Sequence, residues 1–347
     1  MVGRTRRRRK IRLSLAGVVL LDILLFVLGM ITMVIVILSS RPGRKSAIDS
    51  ASPEEVATIV ALSNADVTQS QPESTPSVAA PATEESTDQT QEAEPAPTPA
   101  APGDFSAAFP KQDTGAGALL SYQSDRLRIA ITKEQAYGAT YFVADVWVKD
   151  IQAFQTAFAK DSYGRGQHEM PLQIANRANA IFAVSGDYYG ARIEGVVVRN
   201  GQLYRDVMSD DVCILRTDGT MKIYSRDSFS SIETIDNTVW QAWAFGPVLV
   251  ENGVASDTSG SSIRVKNPRS AIGYYEPGHY CFIVVDGRQK GYSDGMSLDE
   301  LAATFAALGC KTAYNLDGGA TAMMVFQGKL VNQPTNGGRT SSDIICF

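Results

Sequence analysis

Asp286 and Asp317 are the residues whose setting could do chemistry. Each closes an apolar run and is followed by glycine, in Val284-Val285-Asp286-Gly287-Arg288 and in Asn315-Leu316-Asp317-Gly318-Gly319. Two carboxylates at one edge are the equipment for cutting a glycosidic bond: one donates a proton or stabilises charge, the other attacks or activates water. A lone Asp-Gly pair is more often a turn; two, each ending a strand of one unit, point to a site. Three arginines add a second clue. Arg269 sits in Asn267-Pro268-Arg269-Ser270-Ala271-Ile272-Gly273, Arg288 follows Asp286 by two positions, and Arg339 lies in Asn336-Gly337-Gly338-Arg339. Planar guanidinium groups grip phosphate in bidentate fashion. For Arg339 a surface ion pair is an equally good reading. The glycines allow backbone N–H groups to approach an anion closely. Carboxylates beside arginines suit a substrate with both sugar and phosphate. The same pocket, without cleavage, would be a binding or assembly module for a sugar-phosphate polymer. No cofactor is required; a divalent cation on Asp187, Asp286 and Asp317 fits the oxygen preference of hard ions and stays open.

Other chemistries are excluded by what is missing. The only histidines are His168 and His279, so a three-histidine zinc site cannot form and a Ser-His-Asp triad is disfavoured. Cys213, Cys281, Cys310 and Cys346 show no CxxC spacing. His279 follows Pro277-Gly278 at a hairpin tip, where a surface role is expected.

The elements that must position these residues can be read around them. Tyr280 to Val285 is a near-continuous apolar run, as in a strand covered on both faces. Ser297-Leu298-Asp299-Glu300 is a capping box opening a helix from Leu298 to Leu308, with Gly309 to end it. Thr312 to Leu316 is a second strand. Strand, helix and strand form a βαβ unit whose strands run parallel if they share a sheet. Both aspartates then leave its carboxyl-terminal edge, where ligands of such sheets bind. Asn200-Gly201, Asp218-Gly219, Asn252-Gly253 and Pro277-Gly278 mark four hairpins. Asp150 is expected to cap a helix bearing Ile151, Phe154 and Phe158, and Pro171 to start another ending near Ala178. The fold class is therefore α+β: a mixed, hairpin-rich β-sheet domain with a βαβ unit, over residues 105–347.

The rest of the 347-residue chain is strongly segmented. Residues 1–12 carry seven bases and no acid. Residues 13–38 are apolar apart from Asp22, long enough to cross a bilayer as an uncleaved anchor. The basic tail predicts a cytoplasmic N-terminus and an extracellular C-terminal domain. Residues 39–104 form an acidic, Pro-rich linker; within 46–103 there are ten acids, no base and no aromatic residue, a composition that predicts disorder. The net charge of −5 disfavours nucleic acid as partner, since phosphate backbones need a basic face.

Ser185-Gly186-Asp187-Tyr188-Tyr189, Phe245-Gly246-Pro247, Asn267 to Gly273, Val285 to Arg288, the Ser297 helix and Asn315 to Gly319 occur in that order. Together, over roughly residues 125–347, they resemble the phosphodiester glycosidase domain family. The resemblance implies a mixed α/β fold and removal of a sugar joined through its anomeric carbon to a phosphodiester. It implies a glycan substrate, with bacterial members often linked to exported polysaccharide. It also implies a pocket of Asp187, Arg269, Asp286, Asn315, Asp317 and Thr321, shaped by Gly318 and Gly319. Ser185 and Thr321 stand where the family commonly has Asn and Ser.

Overall fold

The computed structural model describes residues 103–112, 115–208, 211–226, 228 and 235–347. The basic tail, the apolar segment 13–38 and nearly all of the linker lie outside the described residues. Among the described residues, no helix is long and apolar enough to cross a membrane. The strands in chain order are β1 (Leu120–Gln123), β2 (Leu127–Ala136), β3 (Ala139–Val148), β4 (Gln155–Phe158), β5 (Phe182–Ser185), β6 (Val197–Arg199), β7 (Gln202–Arg205), β8 (Val212–Arg216), β9 (Met221–Tyr224), β10 (Val239–Trp243), β11 (Val248–Glu251), β12 (Val254–Ala255), β13 (Arg269–Glu276), β14 (His279–Val285), β15 (Thr312–Asn315), β16 (Met324–Phe326), β17 (Lys329–Leu330) and β18 (Asp343–Cys346). Among the described residues two α-helices accompany them, α1 (Pro171–Arg177) and α2 (Leu298–Ala307). The domain is thus mostly β-sheet.

Three antiparallel sheets result, ordered β1-β2-β3-β14-β13-β15-β11-β12, β7-β6-β10-β8-β9 and β17-β16-β5-β18-β4. Within the first, β14 and β15 each pair antiparallel with β13, so they point the same way but are not neighbours. β13 begins with Arg269 opposite Val285. The start of β13 and the ends of β14 and β15 therefore meet at one sheet edge. This edge gathers Arg269, the 286–288 turn and the 315–319 turn.

Burial on both faces holds that edge still. On one face α2 lays Leu298, Leu301 and Phe305 over Ala271, Ile283, Val285 and Ala313, all buried. Each large apolar side chain so covered contributes about 1.5–3 kcal/mol. Gly273 makes room: a Cβ there would stand 2.8 Å from the Phe305 ring and from Cys310 Sγ. On the other face Phe282, Ile272 and Tyr314 join Phe182, Val184 and Trp243 of the other sheets. Ser297 accepts from the Glu300 N–H while Glu300 accepts from the Ser297 N–H, the expected capping box.

One expected helix does not form. After Asp150 there is a single 3₁₀ turn, Ile151–Ala153, and the chain then enters β4. The Asp150 carboxylate, free of any cap, is taken by Arg126 at 2.8 Å. Backbone pairing of β4 with β18 outweighs three apolar residues at helical spacing. All four cysteines are buried thiols with no disulfide.

Candidate active site

A cavity of about 200 Å³ opens at the β13–β14–β15 edge, lined by Arg269, Arg288, Asn315, Asp317, Gly318, Gly319 and Arg339, together with Phe245, Ile263, Asn267 and Pro268. Phe245 and Ile263 also border a larger cleft of about 570 Å³. Seven of the residues singled out from sequence thus share one cavity; Asp187, Asp286 and Thr321 are not on its wall.

Arg269 is its most unusual member. It is only 3% exposed, yet no carboxylate pairs with it among the described residues. Its guanidinium donates instead to the carbonyls of Met296 (3.0 Å), Ile263 (2.7 Å) and Val265 (2.6 Å). Burial, with Arg288 nearby, lowers its pKa to about 10. Arg288 donates twice to Asn267 Oδ1, at 3.1 and 2.7 Å. It holds a left-handed φ of 56°, uncommon away from glycine, and its guanidinium lies over Gly319. Two cations without a carboxylate partner among the described residues share one wall, and this favours an anionic guest.

Asp317 is 5% exposed and its pKa is pushed up to about 6, chiefly by burial, with Asp187 adding to the rise and Thr321, Arg339 and Arg192 opposing it. Its Oδ2 lies 2.6 Å from Thr321 Oγ1 and 3.4 Å from Arg339 Nη2. No hydrogen bond reaches Oδ1 among the described residues. Arg339 also lies over the Tyr188 ring, 5.1 Å from its centroid. Asn315 donates through Nδ2 to the Gly246 carbonyl at 2.8 Å, while its Oδ1 is buried without a partner. Swapping the amide would set oxygen against oxygen, so the orientation is fixed by its neighbour. Gly318 is forced by proximity, since a Cβ there would stand 2.6 Å from the Pro268 carbonyl oxygen.

Asp286 lies off the wall of this cavity. It is buried and fully engaged away from the cavity, accepting from Asn332 Nδ2 (2.8 Å), the Gln333 N–H (3.0 and 3.1 Å) and the Tyr292 hydroxyl (2.8 Å). Burial raises its pKa while these donors oppose the rise. Its work is to tie the 332–333 segment to the end of β14. Asp187 is likewise structural: its Oδ1 lies 2.8 Å from Arg199 Nη2, and Arg199 Nε reaches Asp343 at 2.7 Å, with all three side chains 0% exposed. Thr321 is buried against Asp317 and does not line the cavity. Among the described residues no three His, Cys, Asp or Glu side chains cluster as metal ligands. Tyr189 packs on Tyr163 in the core, and His279, stacked between Trp147 and Tyr275, stands at the far end of β14.

Sequence reasoning missed Phe245, Ile263 and Asn267 as wall residues and Arg199 as the centre of a buried ion cluster. A guanidinium closing the apolar run Val196 to Val198 was the available signal for Arg199.

The chain has likenesses among known proteins. Residues 178–347 match the phosphodiester glycosidase family. The match bears out the likeness carried by the ordered motifs. It also holds every residue of the cavity wall. A curated relative, the SPbeta prophage-derived uncharacterized protein YomE of Bacillus subtilis (strain 168), is 28% identical over 229 residues, 59% of this chain and 35% of its own. The chain therefore spans about a third of that relative's length. Among solved structures, the zebrafish N-acetylglucosamine-1-phosphodiester alpha-N-acetylglucosaminidase catalytic domain, auto-inhibited by its pro-peptide, aligns with a TM-score of 0.51 at 20% identity, covering 64% of this chain and 82% of that one. A hypothetical protein from Synechocystis aligns with a TM-score of 0.51 at 13% identity, covering 67% and 64%. At these identities the likeness to both is one of fold.

Proposed function

We propose that this domain hydrolyses the bond between a sugar's anomeric carbon and a phosphodiester. The observation that carries the reading is Arg269, a buried guanidinium without a counter-ion, sharing a cavity with Arg288 and with a single carboxylate of raised pKa. The phosphodiester sits against the two arginines and the sugar toward Asp317. Asn315 Oδ1, buried and unpartnered, accepts from a sugar hydroxyl or N–H. Water attacks the anomeric carbon and gives a proton to Asp317 Oδ1. The bond to the phosphate oxygen breaks, and its electron pair stays on that oxygen, where Arg269 and Arg288 hold the charge. The products are a reducing sugar and a phosphate monoester. Phosphate leaves without a proton, so one carboxylate suffices and Asp286 is not needed. The basic segment 1–12 followed by apolar residues 13–38 supports a membrane anchor, with the domain outside acting on cell-surface sugar-phosphate glycans.

The test is the full chain with a glycosyl-1-phosphodiester. Release of reducing sugar is expected, its rate rising with pH through about 6 as Asp317 ionises. Asp317→Asn should cut turnover by roughly 10²–10⁴-fold. Single displacement predicts inversion, read by proton NMR of the first-formed anomer. Retention would make Asp317 the nucleophile, and undiminished turnover in the variant would remove it from the mechanism. Binding of the polymer without cleavage would favour the assembly-module reading.

A further inference from the structure

Thr321 presents a proton-counting problem. Its Oγ1 stands 2.6 Å from Asp317 Oδ2 and 2.5 Å from the Gly318 carbonyl oxygen. A hydroxyl has one proton to donate and can also accept. The Gly318 carbonyl, which caps the 3₁₀ turn Gly319–Thr321, can only accept. When Asp317 is ionised it too can only accept, so Thr321 must choose between them. When Asp317 carries a proton on Oδ2, both contacts are satisfied at once: Asp317 donates to Thr321 and Thr321 donates to Gly318. Thr321 is 0% exposed, so water cannot take over either role. The turn is pinned from behind, with Ser185 Oγ donating to the Thr321 carbonyl and accepting from the Met323 N–H at 3.3 Å.

We infer that Thr321 is a positioning residue whose hydroxyl swings its proton between Gly318 and Asp317, so that Asp317 is held in a fixed orientation in both protonation states and Oδ1 is left for the reacting water. The inference rests on the hydrolytic reading only for its catalytic consequence. Other charges facing Asp317 are Arg339 from the loop before β18, Arg192 and Asp187 from the segment after β5, and Arg269 and Arg288 across the cavity. None of these is changed by altering Thr321.

Two readouts separate the possibilities. The first needs no activity: the Asp317 carboxyl carbon is titrated by carbon-13 NMR in the full chain. Thr321→Val removes the donor that the charged form uses, and the midpoint should rise by about one unit. Thr321→Ser keeps the hydroxyl and should titrate as the parent does. Thr321→Cys, a weaker donor of similar size, should fall between them and serves if the valine variant does not fold. The second readout is the pH profile of turnover, whose acid limb should move with the titration. An unmoved or lowered midpoint in folded Thr321→Val or Thr321→Cys overturns the inference, as does a serine variant that behaves like valine. A moved midpoint in a chain that cleaves no glycosyl phosphodiester would uphold the inference and sink the hydrolytic reading instead.

Discussion

Two arginine–carboxylate clusters lie side by side in this domain and are built on opposite charge arithmetic. In the first, Arg199 is sealed between Asp187 and Asp343, with two acids to one base and none of the three exposed. In the second, Arg269, Arg288 and Arg339 share a cavity with Asp317 alone, three bases to one acid. The closed cluster is held by ion pairs, with Arg199 Nη2 and Asp343 Oδ1 left without a hydrogen-bond partner among the described residues. Gly186 sits against it so tightly that a Cβ would fall 1.9 Å from Asp343 Oδ1. It bolts β6 of one sheet to β18 of another. The open cluster lines the cavity with Asp317, with Arg269, which no carboxylate pairs among the described residues, and with Asn315, whose Oδ1 is buried without a partner. The same residue types therefore serve the fold where they pair with one another out of solvent and suit a ligand where a base is left without an acid.

Three substitutions would break or sharpen this contrast. The largest effect is expected from Arg199→Met, which strands two buried carboxylates and should cost about 3–5 kcal/mol of stability in urea denaturation. Phosphate binding per folded molecule should be unchanged. A variant as stable as the parent would mean that the triad is not what joins the sheets. Next, Arg269→Met should weaken binding of inorganic phosphate by about ten- to a hundredfold, the worth of a charge-assisted hydrogen bond. The measurement is the phosphate-dependent rise in Tm, which should shrink accordingly; an undiminished rise would move the anion elsewhere. The smallest is Asp286→Asn, which turns an acceptor toward the donors of Asn332 and Gln333 into a competing donor. It should lose about 1–3 kcal/mol of stability while turnover per folded molecule is kept. Loss of turnover in a fully stable variant would return Asp286 to the chemistry.

Much of the frame around the cavity was legible in the sequence. The apolar run of β14, the capping box of α2 and the Asp-Gly ends announce themselves locally, because strand burial, helix capping and tight turns depend on adjacent residues. The hairpins at Asn200-Gly201 and Asp218-Gly219 were legible for the same reason. What lay hidden was non-local. That β13 inserts between β14 and β15 depends on pairings that no local pattern encodes. The Asp150 region misled because a short helical spacing was read where β18, nearly two hundred residues later, supplies a partner strand.

The sequence by itself determined the chemical inventory of the site: one sheet edge, carboxylates, guanidinium groups and glycines, in an order shared with a family. It could not determine which aspartate faces the cavity. Asp286 and Asp317 have near-identical local settings, a strand end followed by glycine. Asn332 and Gln333 fold back from 46 and 47 residues downstream and saturate the first, while the second keeps one oxygen without a donor. A carboxylate's role follows from the donors and burial around it, and only the folded chain brings those together.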